Sequence, residues 1–232
     1  MSVDAAAARR LFDANAARYD RVNAIVSLGL DARWRRWVAR RAVTRRGARV
    51  LDAFAGTGRV GIECAALGAD VTLADASPAM LGEAARYAGE RGFRVREVLV
   101  DLAAEELPFA AASFDAIAVS FGIRYLDAPG DVLRRLGTLL APGGRLVVLE
   151  FVRPAPGPVS SPAAVYFFRI LPRVASALTG RPELYEYLTG SVRRIGREDD
   201  LARLLSSSDY DVVERRRAGF GLVAAFVCVP SA

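Results

Sequence analysis

Val50-Leu51-Asp52-Ala53-Phe54-Ala55-Gly56-Thr57-Gly58 is an apolar run ending in a glycine turn, and Gly61 completes a G-x-G-x-x-G pattern. A strand that enters a helix through such a turn lets a ligand approach the backbone and the helix N-terminus closely. Taken alone, the pattern suits a dinucleotide as well as any other adenosine-bearing cofactor. The aspartates around it narrow the choice. Asp52, four residues before Gly56, sits where a carboxylate can receive the ammonium of an amino-acid-bearing ligand, a charge that dinucleotide sites do not need to meet. Asp75, nineteen residues after Gly56, ends a second strand-like run and offers an acceptor for ribose hydroxyls of either cofactor. Asp101 follows a third such run, where it can accept from an adenine amino group while Leu102 or Ala103 packs on the ring. Asp75 and Asp101 also have a structural alternative, as caps of the helices that follow them.

What is absent bounds the chemistry further. The 232 residues contain no histidine, and all 32 basic residues are arginine. That excludes Ser/His and Cys/His nucleophile pairs, Schiff bases and phosphate-loop lysines. Cys64, in a helical pattern, and Cys228, in an apolar strand pattern, form neither a disulfide framework nor a metal-ligand set and read as buried small hydrophobes. Chemistry must therefore come from carboxylates, tyrosines, arginines or a reactive cofactor, and no metal site is expected. The net charge is +6, with basic clusters at Arg33, Arg35, Arg36, Arg40, Arg41, Arg45 and Arg46, at Arg193, Arg194 and Arg197, and at Arg215 to Arg217. These either meet an anionic partner or form a solvated face.

From residue 48 onward, strand-like runs alternate with helical patterns, which predicts βαβ units and a parallel, doubly wound sheet. The strands are expected at Arg49 to Phe54, Asp70 to Asp75, Phe93 to Val100, Phe114 to Ser120 and Arg145 to Phe151. Residues 1–47 read instead as a helical cap, with Leu11, Phe12, Ala16 and Tyr19 on one face, a break near Ser27 to Gly29, and a tryptophan-bearing helix from Asp31 to about Arg46. Residues 153–196 read as a substrate-side insertion, proline-rich over Pro154 to Pro162 and then apolar over Val165 to Leu178, with a break at Pro172. Residues 197–232 predict a helix over Glu198 to Ser206 and a closing hairpin, Tyr210 to Arg216 and Phe220 to Val229, about Ala218-Gly219. The expectation is one domain, residues 1–232, with residues 48–152 as its cofactor-binding half. No run is long enough to cross a bilayer and no signal peptide is evident, so a cytoplasmic protein is expected.

Leu107-Pro108-Phe109, Ser113-Phe114-Asp115-Ala116-Ile117 leading to Ser120, and Leu140-Ala141-Pro142-Gly143-Gly144-Arg145-Leu146 follow in this order. With the glycine turn they resemble class I S-adenosylmethionine methyltransferases. That resemblance implies an α/β, Rossmann-like seven-stranded sheet with its last strand antiparallel. A narrower resemblance covers nearly the whole chain. Tyr19-Asp20-Arg21-Val22-Asn23, Ser27-Leu28-Gly29-Leu30-Asp31, Trp34-Arg35-Arg36, Ser120-Phe121-Gly122-Ile123-Arg124, Leu149-Glu150-Phe151 and Tyr185 to Leu188 with Ser191 look like the ubiquinone/menaquinone biosynthesis C-methyltransferase family.

Members of that family methylate the ring carbon of a polyprenyl hydroquinone, so the resemblance implies S-adenosyl-L-methionine as cofactor and demethylmenaquinone as substrate. It implies that Thr57, Asp75, Ser120 and residues around Asp101 contact the cofactor, joining Asp52, Gly56, Gly58 and Leu102, with Tyr19 and Arg124 on the substrate side. It also suggests a homodimer. The chain departs from the family pattern at Arg59, where an acid is usual, at Ala103, where an acid is again usual, and at Tyr125, where Asn is usual. In-line methyl transfer needs an aligned nucleophilic carbon and exclusion of water, and no metal. Arg124 is expected to stabilise a developing phenolate, and a water held by Arg124 and Tyr19 to relay the proton. Asp20 and Asp127 are spare candidates for the base. A polyprenyl substrate further suggests that Tyr166, Phe167, Phe168, Ile170 and Leu171 form an apolar mouth at the inner membrane surface. A core or dimer contact is the alternative for those aromatics. Other expectations stay open as well: a methyltransferase for another small molecule, a non-catalytic protein that keeps the cofactor fold, or an RNA-binding module. The basic patches lack interleaved aromatics apart from Trp34 and Trp37, so no nucleic acid is expected.

Overall fold

The computed structural model describes residues 13, 14, 16, 20, 23, 24, 27, 29–157, 160–179 and 182–231, with the backbone alone at 160, 161, 175, 177–179 and 182–188. Tyr19, Leu11 and Phe12 lie outside the described residues, as do the side chains of Tyr185 to Leu188. Seven strands form one sheet: β1 (Arg49–Ala53), β2 (Asp70–Asp75), β3 (Arg96–Leu99), β4 (Phe114–Ser120), β5 (Leu140–Phe151), β6 (Tyr210–Ala218) and β7 (Val223–Pro230). Their spatial order is β3-β2-β1-β4-β5-β7-β6. The first five run parallel, while β7 runs antiparallel to both β5 and β6.

The central strands are apolar on both faces because helices cover both. Alternation sends Val50, Ala118, Val147 and Leu149 into one core, beneath Trp37, Val38 and Val60. It sends Leu51, Ile117, Leu146 and Val148 into the other, with Val132, Leu136, Leu201 and Leu205. The first layer carries α1 (Leu30–Ala42) and α2 (Arg59–Ala66), and the second carries α4 (Pro129–Thr138) and α8 (Glu198–Ser206). α3 (Pro78–Glu90) begins on Ser77, whose hydroxyl accepts from Met80 N, with Pro78 in the first turn. Each fully buried Leu or Ile contributes about 1.5–3 kcal/mol. With many such side chains the apolar layers hold the fold, and the charges buried at strand ends need another reason to be there.

Several expected boundaries move. β3 is only Arg96–Leu99, because Phe93 N is taken up by Ala88 O at the end of α3. β5 starts at Leu140, and its pairing with β4 slips between Phe114↔Leu140 and Ala116↔Arg145, which accommodates Pro142-Gly143-Gly144. The closing hairpin turns through Gly219–Gly221 rather than at Ala218-Gly219 alone, so β7 begins at Val223.

Pro172 does not break the insertion helix. α5 (Ser160–Val165) passes through a π turn at Tyr166–Ile170 into α6 (Leu171–Thr179). The widened turn falls just before the residue that lacks an N–H, a place where the ladder absorbs a proline. α7 (Pro182–Ile195) completes the insertion.

Candidate active site

The carboxyl ends of β1, β2, β4 and β5 open into one cavity of about 960 Å³. This is the crevice of a doubly wound sheet, next to the point where the strand order reverses between β1 and β4. Two aromatic residues at strand ends are forced into left-handed backbone: Phe54 after β1 has φ 60° and Phe121 after β4 has φ 61°. Such conformations cost about 1–3 kcal/mol each and cluster at functional sites. Phe54 lies against Gly122, where an added Cβ would come within 2.6 Å of its ring. Phe121 stacks on Phe151 at 4.6 Å between centroids. The strained residues thus wall the cavity with aromatic surface.

The glycine turn forms its floor. Gly58 has φ +69°, and a Cβ there would lie 2.8 Å from the Ala84 methyl, so the turn is close-packed on α3. Gly56 has φ +53° with open space where a side chain would be. Asp52 is almost wholly buried, lines the cavity, and accepts from Gly61 N at 2.7 Å. Burial pushes its pKa up to about 7, and the Gly61 amide and the field of Arg35 offset this only in part. Asp75 accepts from Gly56 N at 2.8 Å and from Ser77 N at 2.9 Å. Its carboxyl is also raised, mainly by burial. Asp101 accepts from Ala103 N at 2.9 Å, and the buried Leu102 beside it lines the same space. The Ser120 hydroxyl is buried at the cavity wall and has no hydrogen-bond partner among the described residues.

The opposite corner is built around Arg124, in the short turn Ile123–Tyr125 after β4. Arg124 is 3% exposed. Nη1 donates to Glu150 Oε1, Nε to Ser191 Oγ at 3.1 Å, and Nη2 to Tyr125 Oη at 2.7 Å. The rings of Tyr125, Phe151 and Phe121 stand 4.4, 5.4 and 5.7 Å from its carbon. Asp52, Gly56, Thr57, Asp75, Asp101, Leu102, Ser120 and Arg124 all line the one cavity. Gly58 packs behind it and does not.

Sequence reasoning missed two parts of this arrangement. Glu150 appeared only within a motif, yet it is fully buried and ion-paired to Arg124; an acid in the middle of Val-Val-Leu-Glu-Phe was the available signal. Asp20, expected as a spare proton acceptor, instead ties the cap to the glycine turn. It accepts from Thr57 Oγ1 at 2.8 Å and from Arg59 Nε at 2.8 Å. Arg59, one of the three residues that depart from the family pattern, also stacks 3.4 Å over the Tyr87 ring of α3, so this departure is tied both to the cap, through Asp20, and to α3. Several arginines of the basic clusters are likewise paired: Arg41 with Glu214, Arg45 with Asp115, and Arg217 with Glu198. Cys64 and Cys228 are buried and free. Among the described residues there is no metal-ligand cluster, and no helix is long and apolar enough to cross a membrane.

Solved structures share the fold. The [4+2]-cyclase SpnF matches with a TM-score of 0.63 at 21% identity, over 87% of this chain and 82% of its own. An S-adenosylmethionine-dependent methyltransferase from Aquifex aeolicus matches with a TM-score of 0.60 at 15% identity, over 84% and 88%. Sequence relatives are closer. A demethylmenaquinone methyltransferase of Parafrankia sp. is 40% identical over 92% of this chain and 90% of its own length. That of Thermus thermophilus is 38% identical over 87% and 92%. A ubiquinone/menaquinone biosynthesis C-methyltransferase of Proteus mirabilis is 34% identical over 93% and 87%. The model of the ubiE/COQ5 methyltransferase family matches residues 1–229, and the chain, a methyltransferase with a class I fold, belongs to that family.

Proposed function

We propose that this enzyme transfers a methyl group from S-adenosylmethionine to a ring carbon of a reduced polyprenyl quinone, demethylmenaquinone above all, the substrate named for its Parafrankia and Thermus relatives. The observation that carries this reading is the single cavity that joins the glycine turn and its carboxylates to the aromatic corner around Arg124. Its volume is at the upper end of small-molecule sites, which span about 300–1,000 Å³.

The residues present fit the cofactor. Among the described residues the buried Asp52 carboxylate forms no ion pair and feels the field of only one cation, Arg35, and a ligand ammonium suits it as a direct partner. Asp75, held by two backbone amides, keeps lone pairs for ribose hydroxyls. Asp101 and Leu102 suit an adenine edge and face, and the orphaned Ser120 hydroxyl gains a partner. When bound, S-adenosylmethionine supplies an electrophilic sulfonium methyl. Arg124 donates to the ring hydroxyl as it ionises, which makes the neighbouring ring carbon nucleophilic. Phe54, Phe121, Phe151, Phe167 and Leu171 keep water from the path. Tyr19 is assigned with Arg124 to hold the water that takes up the proton, on the sequence pattern alone.

The substrate's apolar tail makes a bilayer surface the natural place of encounter. Val165, Ile170 and Val174 are all exposed. They are spaced five residues apart across the π turn and then four along α6, which sets them on one helix face beside exposed Arg169 and Arg173.

A second reading, methylation of another small molecule, is favoured by Tyr125, whose phenol lines the cavity where the family usually has Asn. The test incubates the protein with labelled S-adenosylmethionine and chemically reduced demethylmenaquinone, beside an oxidised control. A gain of one methyl that requires reduction, and that falls at least about a hundredfold in Arg124→Ala, supports the first reading. Cofactor binding without product moves the substrate to another small molecule.

A further inference from the structure

Glu150 stands at the carboxyl end of β5, paired with Ala224 of β7, in the middle of the sheet. Its neighbours Leu149 and Phe151 face the α1 layer. The Glu150 side chain therefore points to the opposite face, where Ile123, Val152 and Ile195 lie. A carboxylate with no exposure among apolar residues is retained at a stability cost unless its geometry does something specific.

Glu150 makes three described contacts. Oε1 accepts from Arg124 Nη1 and from Phe151 N at 2.8 Å, and Oε2 accepts from Arg124 N at 3.3 Å. It thus grips both the head group and the backbone of Arg124 and is itself fixed by its own strand. Ser191, on α7, holds Nε from the other side. Neither Glu150 nor Ser191 lines the cavity, whereas Arg124 and Tyr125 both do.

We infer that Glu150 is the positioning residue of this methyltransferase: through the paired contacts on Arg124 it fixes the plane of the guanidinium, so that the Nη2 and Tyr125 side of the group is held at the cavity. This rests on the reading of Arg124 as the group that meets the ring hydroxyl. An arginine has a long, many-rotamer side chain and stabilises a developing charge only where its donors are already aimed. Three aromatic rings set the slot, but they leave rotation within it open; the bonds to Glu150 and Ser191 close that freedom. Ionised, Glu150 also makes the pair neutral overall, so Arg124 acts as an oriented donor rather than as a bare buried cation.

The test compares Glu150→Gln and Glu150→Asp with the wild type, reading kcat, KM for the cofactor, and cofactor affinity by calorimetry. Glu150→Gln is expected to lower kcat about a hundredfold with KM for S-adenosylmethionine and cofactor affinity unchanged, since displacement of a catalytic group by about 1 Å has that effect. Glu150→Asp restores the charge with a shorter reach and is expected to recover about tenfold of the loss. Wild-type kcat in either variant overturns the inference. So does a loss of kcat that tracks a parallel loss of cofactor affinity, which is what a merely structural role gives. If Glu150→Gln does not fold, Glu150→Asp decides alone: a kcat about tenfold below wild type at unchanged cofactor KM supports the inference, and wild-type kcat refutes it. If the wild type itself does not methylate demethylmenaquinone, that result fails the functional reading and not this one. The variants are then read on binding of reduced menadione, by quenching of tryptophan fluorescence in the presence of S-adenosylhomocysteine. Weakened binding at unchanged S-adenosylhomocysteine affinity supports the inference, and unchanged binding overturns it.

Discussion

Asp52→Asn keeps the shape of a buried side chain and removes its charge. In the ligand-free protein burial lifts the Asp52 carboxyl to about 7, which corresponds to roughly 4 kcal/mol held against folding once the group ionises. Asparagine removes that cost and can still accept from Gly61 N, but it puts amide N–H atoms where a carboxylate oxygen was buried, at a cost of about 1–3 kcal/mol. The expected net gain of roughly 1–3 kcal/mol raises the ligand-free Tm at pH 8 by about 2–12 °C for a chain of this size.

The sign of the pH dependence follows from the same shift. Between about 4 and 7 the folded chain holds a proton that the unfolded chain has released. Raising pH through that window therefore draws the equilibrium toward unfolding, and the asparagine variant loses this slope. Ligand affinity runs the other way. It rises in the wild type as the carboxylate ionises near 7, and at pH 8 the variant loses about 2–5 kcal/mol of binding, at least roughly thirtyfold in Kd. Differential scanning calorimetry of the ligand-free protein and titration with S-adenosylhomocysteine at pH 6 and 8 measure both. A variant that melts lower and binds as tightly as the wild type refutes the assignment of Asp52 to the ligand ammonium.

Arg59→Glu restores the acid usual in the family but sets it against Asp20. Stopped-flow dissociation of S-adenosylhomocysteine is expected to quicken about tenfold as the tie between cap and glycine turn opens, and an unchanged rate would separate that tie from cofactor retention. Flotation with vesicles rich in phosphatidylglycerol is expected to carry the wild type at low salt and release it at high salt, and the triple change Val165→Ser, Ile170→Ser, Val174→Ser to stay unbound at either. Equal flotation of the triple variant would remove the π-turn face from any membrane role.

Much of this arrangement is legible in the sequence because it is local. Strand, glycine turn and helix follow one another between Arg49 and Ala66, and Asp52 and Asp75 occupy strand ends fixed by that order. Glu198–Ser206 was readable in full from its period and its acidic first turn. What the sequence hid depends on long-range approach. Glu150 and Arg124 are 26 residues apart and Arg124 and Ser191 are 67 apart, and no periodicity links them. Asp20 meets Arg59 only once the cap has docked. The π turn was hidden for another reason: Pro172 signals a break to local rules, and only a widened turn ahead of it lets the helix continue.

The reversed strand β7 bears on how the molecule is made. It lies last of the seven in sequence order, yet it is inserted between β5 and β6, and Val223 to Val227 are almost wholly buried. During synthesis, β1 to β5 are complete long before it emerges, and until then β5 presents an open apolar edge. The nascent sheet therefore stays unfinished until β7 is available, and completion must insert a strand against β5 rather than extend an existing edge outward. An unpaired β5 is the surface through which two such nascent chains would pair with each other. Chaperone demand and aggregation during expression should accordingly track the time that β7 takes to arrive, more than the stability of the finished fold.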